Sequence, residues 1–222
     1  MNVERFPNQE QLSTALAELL ATEVCRESDA PRLVMLAGGK TPLAAYKIVA
    51  DGGHTADADL HLCLSDERLV PTDSPESNTG QLTALVYELN VTQERRIFPD
   101  THRLLPDAAQ TYHNELATFL ARGGQVTLGL LGLGADGHTA SLFSLDDIER
   151  GHGRYAIPVQ RENGPHRISV TADFLALTER LIFVAAGAEK QAMLWRLCHE
   201  PETIPAGAAV ARAPRVECWF AE

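Results

Sequence analysis

Arg32-Leu-Val-Met-Leu-Ala37, followed directly by Gly38-Gly39-Lys40-Thr41-Pro42, decides the fold. After Arg32 the first segment is wholly apolar, and Pro31 and Gly38 bound it. A short continuous apolar run predicts a strand buried on both faces, as in parallel sheets. The glycine pair then opens a helix, with Thr41 expected as N-cap and Pro42 at the first helical position.

Elsewhere in the chain, Leu60–Leu64, Val126–Leu131 and Leu181–Ala186 repeat that strand pattern, Arg167–Thr171 reads as a short strand, and Val216–Phe220 as a last one. Between them lie helical patterns. Glu10–Cys25 carries Leu12, Leu16, Leu19, Leu20 and Val24 at helical spacing, and Thr79–Leu89, Asp107–Leu120 and Glu189–Cys198 follow suit. This alternation predicts an α/β fold: a doubly wound, mostly parallel, Rossmann-like sheet with helices on both faces. With no linker, repeat or change of composition, residues 1–222 are expected to form one domain. Asp73–Asn78 and Arg150–Pro165 are loop-rich and suit a lid or an edge insertion. Ligands in such sheets sit beyond the carboxyl ends of the strands, so the segments starting at Gly38, Ser65, Gly132 and Gly187 are the places to look.

Composition narrows the partners. The 222 residues are 45% hydrophobic and 22% charged, with net charge −11, values that exclude a disordered chain. No basic run is present, so nucleic acid is not an expected partner. No apolar stretch approaches the roughly 20 residues of a membrane helix, and the start, MNVERFPNQE, has no secretory apolar region. The widely spaced Cys25, Cys63, Cys198 and Cys218 read as reduced thiols, and together these features predict a cytoplasmic protein. A small anion remains an allowed ligand.

Three loops carry chemistry. In Gly38-Gly39-Lys40-Thr41, glycines let backbone N–H groups approach an anion, and the helix N-terminus adds partial positive charge, which suits a phosphate monoester. The Walker pattern is absent, and the bland alternative is a tight strand-to-helix turn. Ser65-Asp66-Glu67-Arg68 places two carboxylates and a guanidinium at a strand end. That is either a surface ion cluster or a polar site in which Arg68 grips an anion. Ser77-Asn78 offers a polar ligand or a helix cap.

Gly132-Leu-Gly-Ala-Asp-Gly137 matches GxGxxG, but it lies mid-chain, and about 20 residues on stand Ile157 and Pro158 instead of an acid, so a dinucleotide site is not expected. Asp136-Gly137-His138 is more telling. Histidine suits proton transfer near neutral pH, and a carboxylate two residues away can fix its tautomer; the alternative is a histidine capping a following helix. Ser141 is expected within that helix, and His113 on a helix surface. No GxSxG elbow, HExxH motif or zinc spacing is present, so neither a metal nor a cofactor is expected. Arg167 and Lys190, each beside a strand or helix start, are candidate anion contacts.

The segments LAGGKTPLAAY (36–46), SDERLVP (65–71), SPESN (74–78), GLGADGHTASLF (132–143), PHRISVT (165–171) and GAEKQAML (187–194) resemble the 6-phosphogluconolactonases, within the wider family that includes glucosamine-6-phosphate deaminase. The resemblance implies hydrolysis of 6-phospho-D-glucono-1,5-lactone to 6-phosphogluconate, a step of the oxidative pentose phosphate pathway. It implies His138 as general base and Asp136 as its neighbouring acid, with Asp66 the other candidate to orient the imidazole. Gly38, Gly39, Thr41, Arg68, Arg167 and Lys190 match positions associated with the phosphorylated substrate, and Lys40 and Asn78 join them as candidates. Lys40 stands where serine is common in the family, and Ser144 where proline is common. Deaminases carry a glutamate five residues past the histidine, where this chain has Phe143; an apolar ring cannot move protons, which favours the lactonase branch. The expected partner is a small phosphorylated sugar lactone, and the expected assembly a monomer or small homo-oligomer. The competing readings are a deaminase or isomerase of amino-sugar phosphates, an NAD-dependent oxidoreductase, and a non-catalytic phosphosugar-binding module.

Overall fold

In the computed structural model, which describes residues 1–222, the apolar runs become the centre of a sheet. In chain order the elements are β1 (Asn2–Phe6), α1 (Gln9–Cys25), β2 (Arg32–Leu36), α2 (Lys40–Asp51), β3 (Leu60–Leu64), β4 (Asp66–Arg68), α3 (Asn78–Gln81), α4 (Thr83–Glu88) and β5 (Arg96–Ile97). Then come α5 (Leu105–Ala121), β6 (Gln125–Gly132), α6 (Leu145–Arg150), β7 (Ala156–Val159), β8 (Arg167–Val170), α7 (Ala172–Leu175), β9 (Leu181–Ala186), α8 (Gln191–His199), α9 (Pro205–Ala209) and β10 (Val216–Ala221).

Seven strands form a sheet in the order β1-β10-β9-β6-β2-β3-β5, with every neighbouring pair parallel. Along β2 the side chains alternate between two cores. Leu33 and Met35 face a cluster containing Tyr112 and Leu116 of α5 and Leu197 of α8, while Val34 and Leu36 face one containing Leu12 and Leu16 of α1 and Val49 of α2. Helices thus cover both faces, which is why the central strands are mostly apolar and buried.

The differences from the sequence reading have local causes. Helix α2 starts at Lys40, and its N-cap is Gly39 at φ +107°, a backbone conformation that favours glycine; Thr41 is inside the helix and caps nothing. The expected Thr79–Leu89 helix is split at Leu82 into α3 and α4. The segment Glu189–Cys198 begins as a 3₁₀ turn over Ala188–Lys190 before α8. β1 is half exposed and carries charged residues, and β5 has only two residues, so neither shows an apolar run.

The loop-rich 150–165 stretch holds β7, which joins β4 and β8 in a separate antiparallel sheet of order β4-β8-β7. Pro158 hides β7 from a sequence reading, since proline is confined to positions such as this edge strand. The small sheet hangs from the large one where the Val170 N–H donates to the Ser65 carbonyl at 2.9 Å. None of the cysteines is bonded; Cys63 and Cys218 are buried, Cys198 half-buried and Cys25 exposed. No helix is long and apolar enough to cross a membrane.

Candidate functional site

The loops that follow β2, β3, β6 and β9 meet the antiparallel sheet around a cavity of about 350 Å³. Its wall includes Gly38, Gly39, Asp66, Arg68, Asn78, His138, Arg167 and Lys190. Lys40 and Thr41 are not on this wall; they line an adjoining groove that shares Gly38, Gly39 and Lys190 with the cavity. Helix α2 starts two residues earlier than expected, which puts Lys40 and Thr41 inside its first turn.

After β6 no helix follows until α6, so the expected helix behind His138 is absent and the loop is not a dinucleotide turn. Instead the chain folds on itself. The Gly134 N–H donates to the His138 carbonyl at 2.8 Å, Thr139 Oγ1 donates to the Gly132 carbonyl at 2.8 Å, and Gly137 takes φ +85°. This brings His138 Nδ1 to 2.5 Å from Asp136 Oδ1. A carboxylate only accepts, so Nδ1 carries the proton and Nε2 is the free ring nitrogen. Burial works to raise the Asp136 carboxyl, but the hydrogen bond and the charge of His138 outweigh it and hold the carboxyl below its usual range. Phe143 packs on the imidazole with ring centroids 4.6 Å apart.

Asp66 is not the imidazole's partner. Ser141, expected within a helix, lies in the loop, is buried and donates from Oγ to Asp66 Oδ2 at 2.6 Å. Asn78 Nδ2 donates to the Asp66 carbonyl at 2.8 Å. The acidic pair at 66–67 is no surface ion cluster, because neither carboxylate forms an ion pair with a cation. Glu67 is fully buried. Its Oε1 accepts from the N–H groups of Arg68 at 2.6 Å and Asn78 at 2.8 Å, and its Oε2 accepts from the Thr79 N–H at 2.7 Å and Ser77 Oγ at 3.2 Å. The carboxylate therefore fastens β4 to the start of α3 and sets the backbone from which Asp66, Arg68 and Asn78 reach the cavity.

Arg68 and Arg167 are directly opposed in the β4–β8 register. Like charges facing each other across two strands are unfavourable. Burial first, and the Arg68 guanidinium next, hold Arg167 below the usual arginine range. Arg68 donates to the Glu76 carbonyl at 2.5 Å, yet its Nε and the Nη1 of Arg167 are buried without a hydrogen-bond partner. Arg161, which sequence reasoning passed over, also lines the cavity. Recognising the β7–β8 hairpin was the signal needed to find it. His113 is half-buried and accepts the Tyr155 N–H at 2.9 Å, so it is not a free surface histidine.

The class this defines is that of the doubly wound α/β enzymes, with a cavity beyond the strand ends where ligands of such sheets sit. Over residues 7–218 the chain matches the family described as glucosamine-6-phosphate isomerases/6-phosphogluconolactonase. It is 30% identical to the 6-phosphogluconolactonase of Rattus norvegicus over 97% of this chain and 88% of the relative. Among solved structures, the 6-phosphogluconolactonase of Thermotoga maritima superposes with a TM-score of 0.82 at 24% identity, covering 100% of this chain and 99% of the other. A monomeric glucosamine-6-phosphate deaminase shares the fold at a TM-score of 0.80 and 17% identity, covering 100% and 98%. The chain belongs to the glucosamine-6-phosphate isomerase/6-phosphogluconolactonase family.

Proposed function

We propose that the chain, acting as one cytoplasmic domain without metal or cofactor, hydrolyses 6-phospho-D-glucono-1,5-lactone to 6-phosphogluconate, as the named relatives do. The observation that carries this reading is His138, paired with Asp136, facing a cavity whose opposed arginines lack a counter-ion. Nε2 of neutral His138 takes a proton from a water, and the water oxygen bonds to the lactone carbonyl carbon. Asp136 keeps the ring in the reactive tautomer and stabilises the imidazolium. The tetrahedral carbon then expels the ring oxygen, which takes the proton back from Nε2, and the new acid ionises. The phosphate is anchored at Gly38–Gly39 and the N-terminus of α2, with Lys190 beside it and Lys40 and Thr41 in the adjoining groove. Anchoring the far end of the ring supplies orientation at the reacting one.

The fold does not separate lactonase from deaminase, since both share it. Phe143, in contact with the imidazole, favours the lactonase. The test follows disappearance of lactone freshly made by glucose-6-phosphate dehydrogenase, with and without the protein. His138→Ala should lower kcat by roughly 100-fold or more with little change in KM. Near-normal turnover in the folded variant removes the general-base role, and ammonia release from glucosamine 6-phosphate, with no effect on the lactone, overturns the reading.

A further inference from the structure

Arg161 stands just past the end of β7, in the loop that returns the chain to β8, and its guanidinium carbon lies 3.7 Å from the centroid of the Phe143 ring. An arginine in an exposed hairpin loop ordinarily extends into water. This one is half-buried against an aromatic face at the cavity wall. It forms no ion pair, and its charge is felt at Arg167. Three guanidinium groups, from Arg68, Arg161 and Arg167, thus share one wall, with two buried N–H-bearing nitrogens unpartnered. Lys190 and the glycine pair belong to the part of the wall shared with the adjoining groove, whereas the three arginines border the cavity alone.

We propose that Arg161 is a third anion-binding arginine of this site, brought in by the β7–β8 loop and held ready by the Phe143 ring, and that with Arg68 and Arg167 it grips an oxyanion of the bound sugar acid. Cation–π contact holds the guanidinium plane while leaving its N–H edge free for forked hydrogen bonds. Phe143 is what makes this possible, since a carboxylate at that position would pair with Arg161 and cancel its charge. The inference rests on the proposed lactonase reading for its ligand. That ligand carries two kinds of oxyanion: the phosphate, and the carboxylate released at the reacting carbon.

The test titrates the full chain and its Arg161→Ala and Arg161→Lys variants by calorimetry with 6-phosphogluconate, inorganic phosphate and gluconate. Arg161→Ala should weaken 6-phosphogluconate about tenfold or more, and Arg161→Lys should recover part of that loss. A matching loss for phosphate alone places Arg161 on the phosphate, and for gluconate alone on the carboxylate. Phe143→Leu, read by binding only, should shift the same ligand in the same direction. Affinities within twofold of wild type for all three ligands overturn the proposal. These are binding measurements, so they stand apart from the lactonase assay: a protein that binds through Arg161 yet leaves lactone untouched refutes the activity and not the arginine.

Discussion

Glu67→Gln is a change of one atom, and the structure gives its cost. All four hydrogen bonds to the carboxylate come from donors, three of them backbone N–H groups that cannot turn away. With the amide nitrogen at Oε2, it faces the Thr79 N–H, donor against donor; with the amide flipped, it faces the N–H groups of Arg68 and Asn78. The first is the milder arrangement. It forfeits one charge-assisted bond of about 1.5–3 kcal/mol, leaves a buried N–H unmatched, and weakens the remaining bonds by removing the charge. About 3 kcal/mol is the expected total. Unfolding entropy of roughly 2.1 cal/mol/K per residue over this chain corresponds to about 2 °C per kcal/mol, so the melting temperature should fall by about 6 °C. Scanning calorimetry reads it directly. Because the same bonds set the backbone at Arg68 and Asn78, 6-phosphogluconate affinity should fall as well. A variant that melts within about 2 °C of the wild type would show that the buried carboxylate does not fasten β4 to α3.

Two further outcomes follow from the geometry. A Cβ on Gly38 would lie 2.0 Å from Asn78 Oδ1, and Asn78 is 1% exposed and tied to Asp66, so Gly38→Ala should displace the loop and weaken 6-phosphogluconate binding tenfold or more by calorimetry; unchanged affinity would deny the close approach. Burial tends to raise the Glu23 carboxyl, but bonds from Arg26 and Thr127 and the charges of Arg26 and Arg32 carry it below its ordinary 4.5. Its stabilising contribution is therefore complete above about pH 4.5 and lost as pH falls through the lower folded-state value. Urea midpoints measured downward from pH 5 should decline less steeply in Glu23→Gln than in the wild type, and equal slopes would refute the assignment.

What the chain discloses of this architecture depends on the range of the forces involved. β2, β3 and β9 are legible because each is a short, mostly apolar run buried on both faces, and α1 because its leucines recur at helical spacing. The Asp136–His138 contact is equally legible, being made within three residues. The antiparallel sheet is not. β4 reads as a charged strand end, and β7 carries a proline; each becomes a strand only through pairing with β8. For the same reason neither the loop position of Ser141 nor the placement of Arg161 is legible, since their partners, Asp66 and Phe143, are distant in sequence or on another loop. Thr41 looked like a cap because Thr-Pro is a common helix opening, but Gly39 took that position with a backbone angle that threonine cannot share cheaply.

The pairing of β4 with β8 also bears on the order in which this molecule assembles. Arg68 and Arg167 stand about a hundred positions apart, and they meet only when everything between them has been gathered in. Closing so long a loop is entropically slow, and the parallel strands, whose contacts are mostly non-local, fold no faster. The repulsion between the two guanidiniums opposes that same closure. An oxyanion that binds between them would favour the closed state over the open one, so occupancy of this wall would add to the stability of the folded chain.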